Sequence, residues 1–192
     1  MAAPPEKTLR DLNGSWIMNT SESGDTDAVL SLQGVGWFIR KTIGLATVTL
    51  NFRQYKEEDG TERVDIDQAI SPGFQGTQEQ RALNWEWRDH KDIVFGQVKG
   101  RSRWIKITDL PDDDDGNFMR QGWDEGTLDG GDLIQSYVES LDKGWTADQT
   151  WGFELVNGVR KYTRHVIVKD KSKKKILRLK IHYDYAGPAP GQ

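Results

Sequence analysis

The chain has 192 residues, of which 35% are hydrophobic and 29% charged, and its formal net charge at pH 7 is -4. This size fits one packed domain, and the negative charge gives no reason to expect nucleic-acid binding. The absence of cysteine excludes disulfides, thiolate metal sites and thiol catalysis. Segment 1–12 carries no secretory signal pattern, so we expect a flexible tail on a soluble, cytoplasmic protein.

An apolar segment at 25–45 follows the first predicted strand, NGSWIMNT. Asp25 or Thr26 can cap a helix there, and the apolar positions that follow predict helical structure. Gly34 and Gly36 each cost a helix about 1 kcal/mol relative to alanine, so we expect two short helices instead of one long helix. Charged residues within the segment make it too polar to cross a bilayer, and we expect no stable membrane insertion.

From Ala46 onward, apolar and polar residues alternate with the period of a β-strand. Turn sequences such as EEDG at 57–60 separate successive segments and indicate antiparallel hairpins. Antiparallel strands must close or stack to protect their edges, so the sequence predicts an all-β barrel or sandwich of about ten strands. The predicted strands are NGSWIMNT, VTLNFRQY, RVDIDQAI, QRALNWEWR, DIVFGQV, RSRWIKI, DLIQSYVE, TADQTWGFEL, VRKYTRHVIV and ILRLKIHYDY.

Four motifs, in order along the chain, resemble the intracellular lipid-binding proteins, which are the fatty-acid- and retinoid-binding branch of the calycins. GSW at 14–16 resembles the family's first strand, and LQGVGWFIRK at 32–41 resembles its second lid helix. TLDGG at 127–131 resembles the turn before the last four strands, and YDYA at 183–186 resembles the C-terminal motif. The resemblance implies a ten-stranded up-and-down β-barrel with a helix-turn-helix lid, enclosing a cavity for a hydrophobic ligand.

The resemblance also implies which residues meet the ligand. Tyr183 matches a tyrosine of the family's carboxylate clamp, but the two clamp arginines are replaced by Ile181 and, at about the aligned position, Phe153. A tyrosine hydroxyl alone does not neutralise a carboxylate, so we expect a neutral or weakly polar ligand and not a free fatty acid bound head-in. The lid and portal positions are Val35, Trp37, Phe38 and Phe74.

Arg164 is a candidate replacement for the missing cation. It shares a strand face with Tyr162 and Val166, so it meets the ligand if that face points inward. In the alternative orientation Thr163 and His165 face inward and Arg164 pairs with an acid outside, and the sequence leaves both open. Further candidate ligand-binding residues, each of which could instead fill a packed core, are Trp85, Trp87, Tyr137, Trp151 and Phe153.

Segment 109–126 has no counterpart in the family, and we expect this insertion to reshape one end of the barrel. Its run DDDDG does not fit an EF-hand register, so it predicts a solvated acidic loop and not a metal site. No phosphate loop, nucleophile elbow or catalytic triad is visible, and the three histidines lack metal-ligand spacing. We therefore expect no metal and no cofactor.

The sequence predicts one barrel domain at 13–186, followed by a tail at 187–192, and two main functions. The first is binding of a small hydrophobic molecule, as a carrier or sequestering protein. The second is an isomerase or cyclase, because a shaped apolar cavity with a Tyr or Arg donor can fold and polarise a substrate. A protein-interaction module that uses the acidic loop is a third possibility. The identity of the ligand and the oligomeric state are left open.

Overall fold

The structure, a computed structural model, describes residues 1–71, 74–172 and 174–191, without the side chains of Phe74 and Gln75. These residues form a nearly closed barrel of ten antiparallel strands. The strands are β1 (Gly14–Met18), β2 (Thr47–Lys56), β3 (Glu62–Ser71), β4 (Phe74–Ala82), β5 (Arg88–Asp92), β6 (Gly96–Lys106), β7 (Asp132–Ser140), β8 (Trp145–Val156), β9 (Val159–Asp170) and β10 (Ile176–Gly187). The helices are α1 (Thr26–Leu32), α2 (Trp37–Leu45), α3 (Asp114–Arg120) and α4 (Glu125–Gly130).

Nearly every strand pairs with its neighbour along the chain, and β1 also pairs with β10, so that β4 and β5 are the two ends of the sheet. The gap between these two strands is bridged by the segment that connects them. In that segment the Trp85 amide donates a hydrogen bond to the Ser102 carbonyl of β6 at 2.8 Å. The predicted all-β barrel with a helical lid after the first strand is confirmed.

Three details of the strand prediction are wrong. QRALNWEWR is not one strand, because Trp85 adopts a φ of 61° and residues 83–87 connect β4 to β5. DIVFGQV and RSRWIKI are not two strands either, since residues from 96 onward run continuously through β6. The prediction also misses most of β4, whose sequence FQGTQEQRA is mostly polar and of which only residues 80–82 lie in QRALNWEWR.

The lid consists of two short helices, as predicted. Asp25 caps α1 by accepting a hydrogen bond from the Ala28 amide at 3.0 Å, and Val29 of α1 is buried. Gly34 takes a φ of 74° between the helices, a conformation that glycine adopts without strain. No residue of α2 is buried, so this helix packs only loosely on the barrel. Among the described residues, no helix is long and apolar enough to span a membrane.

An aromatic cluster fills one end of the barrel. The ring of Trp16 is fully buried, with centroids 5.9 Å from Phe153, 5.5 Å from Tyr162 and 5.0 Å from Tyr185. Its Nε1 donates to the Leu12 carbonyl at 2.9 Å, which ties the N-terminal segment to the core. A cavity that is lined by lid residues lies on the other side of this cluster. The boundaries of the two tails, 1–12 and 187–192, stay a prediction.

The insertion at 109–126 forms an outer layer on β8 and β9. Trp123 stacks on His165 with a centroid distance of 3.8 Å and an interplanar angle of 15°. A Cβ atom on Gly152 would lie 2.6 Å from the Trp123 ring, so glycine is required there for the insertion to dock. The outer face of β9 is buried by this contact, and His165 is completely inaccessible to solvent.

The acidic run of the insertion is only partly solvated, which corrects the expectation of a plain acidic loop. Asp113 caps α3 by accepting a hydrogen bond from the Gly116 amide at 2.8 Å. Asp115 forms ion pairs with Lys169 and Arg178 on the outer face of the barrel. Two carboxylates of this run therefore fix α3 in place, and no group of metal-ligating residues occurs in the described chain.

Candidate functional site in the barrel

A cavity of about 500 Å³ lies between the lid and the aromatic cluster. This volume is typical of small-molecule sites. Its wall contains both apolar and polar side chains. The apolar lining residues include Val29, Leu30, Ile43, Val94, Phe95, Val98, Val138, Ala147, Val166, Leu179 and Ile181.

Arg164 of β9 faces inward and is only 5% exposed. Its Nε donates to the Tyr162 hydroxyl at 3.0 Å, and its guanidinium lies 4.3 Å from the ring centroid of Trp151. Its Nη1 is 3.9 Å from Oε1 of Glu79. Among the described residues Nη2 has no hydrogen-bond partner, although it is buried. Arg164 thus brings a positive charge and an unused donor to the cavity wall.

A second arginine neutralises Glu79. Nε and Nη2 of Arg81 lie 2.9 and 2.8 Å from Oε2 of Glu79. Nη1 of Arg81 donates to the Ser136 hydroxyl at 2.6 Å, which holds β4 against β7 across the barrel. Two guanidinium groups and one carboxylate leave a net charge of +1 in this group of three residues. The charge of Arg164 is therefore only partly compensated.

The protonation states follow from burial and charge together. Burial alone would lower the pKa of Arg164, but Tyr162, Tyr183 and Glu79 together raise it above its ordinary value, so the guanidinium stays charged. Burial would raise the pKa of Glu79, but Arg81 and Arg164 lower it below its ordinary value. Burial raises the pKa of Tyr183, so its hydroxyl keeps its proton and can donate. This group of polar side chains thus offers the cavity donors and an anion that is already paired.

The structure brings three of the sequence-predicted ligand-binding residues to the cavity lining: Arg164, Ile181 and Tyr183. It also decides the orientation of β9 that the sequence left open, since His165 lies on the outside under the insertion. Trp151 and Phe153 are buried in the core next to the cavity and are not among its lining residues.

Three other sequence candidates lie away from the cavity lining. The rings of Trp85, Trp87 and Tyr137 surround the Arg101 guanidinium at 4.1, 4.4 and 5.8 Å. Arg101 of β6 pairs with Tyr137 of β7. The next pair, Ser102 and Ser136, faces inward and contacts Arg81, so Arg101 and Tyr137 face outward. These rings are therefore on the other face of the sheet, where they contact cations instead of a ligand.

The predicted lid and portal residues differ in exposure. Val35 is buried, whereas Trp37 and Phe38 are 64% and 77% exposed. The side chain of Phe74 lies outside the part of the chain that the structure describes. Trp37 and Phe38 therefore form an apolar rim on α2 that faces solvent.

We expect Trp37→Ala to alter ligand entry and retention far more than stability. Trp37 is largely exposed, so its loss should change the free energy of unfolding by less than about 0.5 kcal/mol. Stopped-flow binding of an apolar fluorescent dye measures entry, and urea unfolding measures stability. A loss of several kcal/mol in stability, with unchanged entry rates, would instead make Trp37 an ordinary packing residue.

Sequence reasoning missed several residues of the site, among them Glu79, Arg81 and Trp145. Glu79 and Arg81 belong to the polar strand β4, which shows no apolar alternation. The nearest signal was the alternation of threonine, glutamate and arginine at 77, 79 and 81, which places three polar residues on one face.

The barrel and its lid define a calycin-type fold like that of fatty-acid-binding proteins. A solved structure of a Schistosoma mansoni fatty acid binding protein in complex with arachidonic acid matches with a TM-score of 0.53 and 14% identity, covering 91% of this chain and 96% of that chain. At this identity the likeness shows the fold alone, and the predicted resemblance to intracellular lipid-binding proteins is confirmed in that sense. No family model matches the chain.

Two relatives are similar over nearly their whole length. One, named probable pericyclase scpY, from Mollisia scopiformis, is 31% identical over 188 residues, which are 97% of this chain and 96% of that protein. The other, named pericyclase pydY, from an Acremonium species, is 27% identical over 192 residues and 100% of both chains. The chain belongs to the family of these pericyclase-named proteins.

Proposed function

We propose that this protein is a cyclase, which closes a ring in a hydrophobic small molecule by a pericyclic reaction inside the barrel. The observation that carries the proposal is the buried guanidinium of Arg164, whose Nη2 has no hydrogen-bond partner among the described residues. A partly compensated cation with an unused donor can polarise a carbonyl group of a bound substrate, which is what catalysis of this kind requires. The names of the two relatives support the same class of reaction.

A pericyclic reaction moves electrons around a ring of substrate atoms in one concerted step, so it needs neither a nucleophile nor an electron carrier. The protein accelerates such a step by holding the reacting carbons near contact distance in the productive fold, which removes much of the entropic barrier. The apolar lining of the cavity supplies binding, at about 25 cal/mol per Å² of apolar surface buried. Isomerisation of this kind proceeds without a cofactor.

Arg164 and Tyr183 supply the electrostatic part of the proposed mechanism. Hydrogen bonds from both to one carbonyl oxygen of the substrate draw electron density from the double bonds conjugated to that carbonyl, which lowers the barrier to ring closure. Both donors keep their protons, because burial raises the pKa of Tyr183 and the neighbouring Tyr162, Tyr183 and Glu79 raise that of Arg164. Arg164 also supplies a cation in place of the two clamp arginines of the lipid-binding family, whose absence from the sequence led us to expect a neutral or weakly polar ligand.

The test uses the elemental composition of the product. An intramolecular pericyclic reaction gives an isomer, so purified protein should convert one compound, in an extract from a gene-deleted source strain, to another of identical accurate mass but different retention time. Boiled protein serves as control. If every bound compound is recovered unchanged in repeated incubations, the proposed cyclase function is wrong.

The second candidate function is that of a carrier in the cytoplasm, which the likeness of fold to a fatty-acid-binding protein favours. It is separated from the cyclase by the same extract. A carrier should enrich one apolar compound on the protein, detectable by native mass spectrometry, without producing an isomer.

A further inference from the structure

Trp145 has a buried indole N–H with no hydrogen-bond partner among the described residues. The residue lies on the inner face of β8, is 2% exposed and lines the cavity. Its neighbours are apolar, including the Phe95 ring at a centroid distance of 5.8 Å and Val29 of the lid helix α1. The described part of the protein thus offers this indole N–H no acceptor.

The other buried tryptophans in the described chain all use their indole N–H. Trp16 donates to a backbone carbonyl at 2.9 Å, Trp123 to another at 2.9 Å, and Trp151 to the Gln149 side chain at 3.1 Å. An unpaired buried donor costs about 1–3 kcal/mol, so such groups are normally satisfied. Trp145 is the exception, and it is the buried tryptophan that lines the cavity.

Trp145 and Arg164 lie at different heights in the barrel. The Arg164 guanidinium stacks over Trp151, and Trp145 precedes Trp151 by six positions on the same strand. At about 3.3 Å per residue this separates the two levels by about 20 Å along β8. Ala147 of β8 and Val166 of β9 line the wall between them.

We propose that Trp145 is a second anchoring residue, and that the cavity selects an elongated apolar substrate with a hydrogen-bond acceptor near each end. One acceptor binds Arg164 and the other accepts from Nε1 of Trp145. This inference rests on the proposed function, because it assigns the substrate class of the same cavity. Fixing both ends limits the ways in which the chain between them folds, and so determines which carbons meet.

Matched pairs of long-chain acids test the distal anchor. The probes are monomethyl esters of decanedioic, dodecanedioic and tetradecanedioic acid, each compared with a straight-chain fatty acid of the same total length. The carboxylate of every probe can meet Arg164, and only the esters carry a distal acceptor. For each pair, the measured quantity is the affinity of the ester divided by the affinity of its matched fatty acid. Because one net hydrogen bond is gained, we expect this ratio to be about 3- to 10-fold higher in the wild type than in Trp145→Phe for at least one chain length.

Calorimetry measures the affinity of each ester relative to that of its matched fatty acid. Trp104→Phe is the matched control. Trp104 donates to Glu62 at 2.6 Å and does not line the cavity, so its loss should leave the ratios unchanged. Should Trp145→Phe fold poorly, the wild type still answers by amide NMR. One of the eight indole N–H signals should shift with an ester but not with its partner.

Equal ratios in wild type and Trp145→Phe at every chain length, or no binding of any probe, would overturn the second anchor. The extract assay for isomer formation does not use these probes. The cyclase can therefore stand while the second anchor fails, and the reverse outcome is equally visible.

Discussion

Arg164→Met is expected to slow substrate conversion by about 10²–10³-fold, the usual effect of removing one preorganised donor to a developing negative charge. Methionine keeps apolar contact with Trp151, so the variant should still bind apolar ligands. Glu79 keeps its two contacts with Arg81, so the loss of Arg164 leaves no unpaired carboxylate behind. The measurement is the rate of isomer formation under single-turnover conditions, together with ligand affinity.

Two further variants separate polarisation from general damage. Arg103→Met removes an arginine that stacks on Trp85 at 4.1 Å and does not line the cavity, so conversion should be unaffected. Arg164→Lys keeps the charge but loses the planar fork, and we expect an intermediate rate. If Arg164→Met forms the isomer at the wild-type rate and binds ligand with unaltered affinity, Arg164 has no part in the mechanism. Catalysis would then depend only on confinement of the substrate.

Alternation and local motifs were enough to predict the barrel and lid, because most strands have one apolar face and the lid motif is specific. They failed at β4, whose inward positions carry Thr77, Glu79 and Arg81. The rule that predicts strands assumes an apolar inner face. A barrel with a polar cavity wall breaks that assumption at the strand that matters for its chemistry.

The orientation of Arg164 was not predictable for a related reason. Alternation shows which residues share a face but not which face is inside, and here both faces of β9 are buried. Tyr162 and His165, on opposite faces, are both completely inaccessible, because the insertion covers the outer one. The unused N–H of Trp145 was equally hidden, since it depends on what the folded neighbours fail to offer.

The insertion contributes stability as well as cover, and Trp123 is its main contact with the barrel. The side chain is 5% exposed, stacks on His165 and fills the space left by Gly152. Beneath it, His165 donates to Glu154 at 2.9 Å, and Lys180 donates to the same carboxylate oxygen at 2.6 Å. Loss of Trp123 would expose this buried charged group to water.

Trp123→Ala is therefore expected to cost about 3–5 kcal/mol of unfolding free energy, the range for truncating a buried large aromatic side chain. Urea unfolding followed by circular dichroism measures the change. Trp87→Ala is the matched control, and because Trp87 is 40% exposed it should cost about 1 kcal/mol or less. A similar small cost for both variants would mean that the insertion packs loosely. A large cost for Trp123→Ala alone would show that the outer layer supports β8 and β9, the strands that carry Trp145 and Arg164.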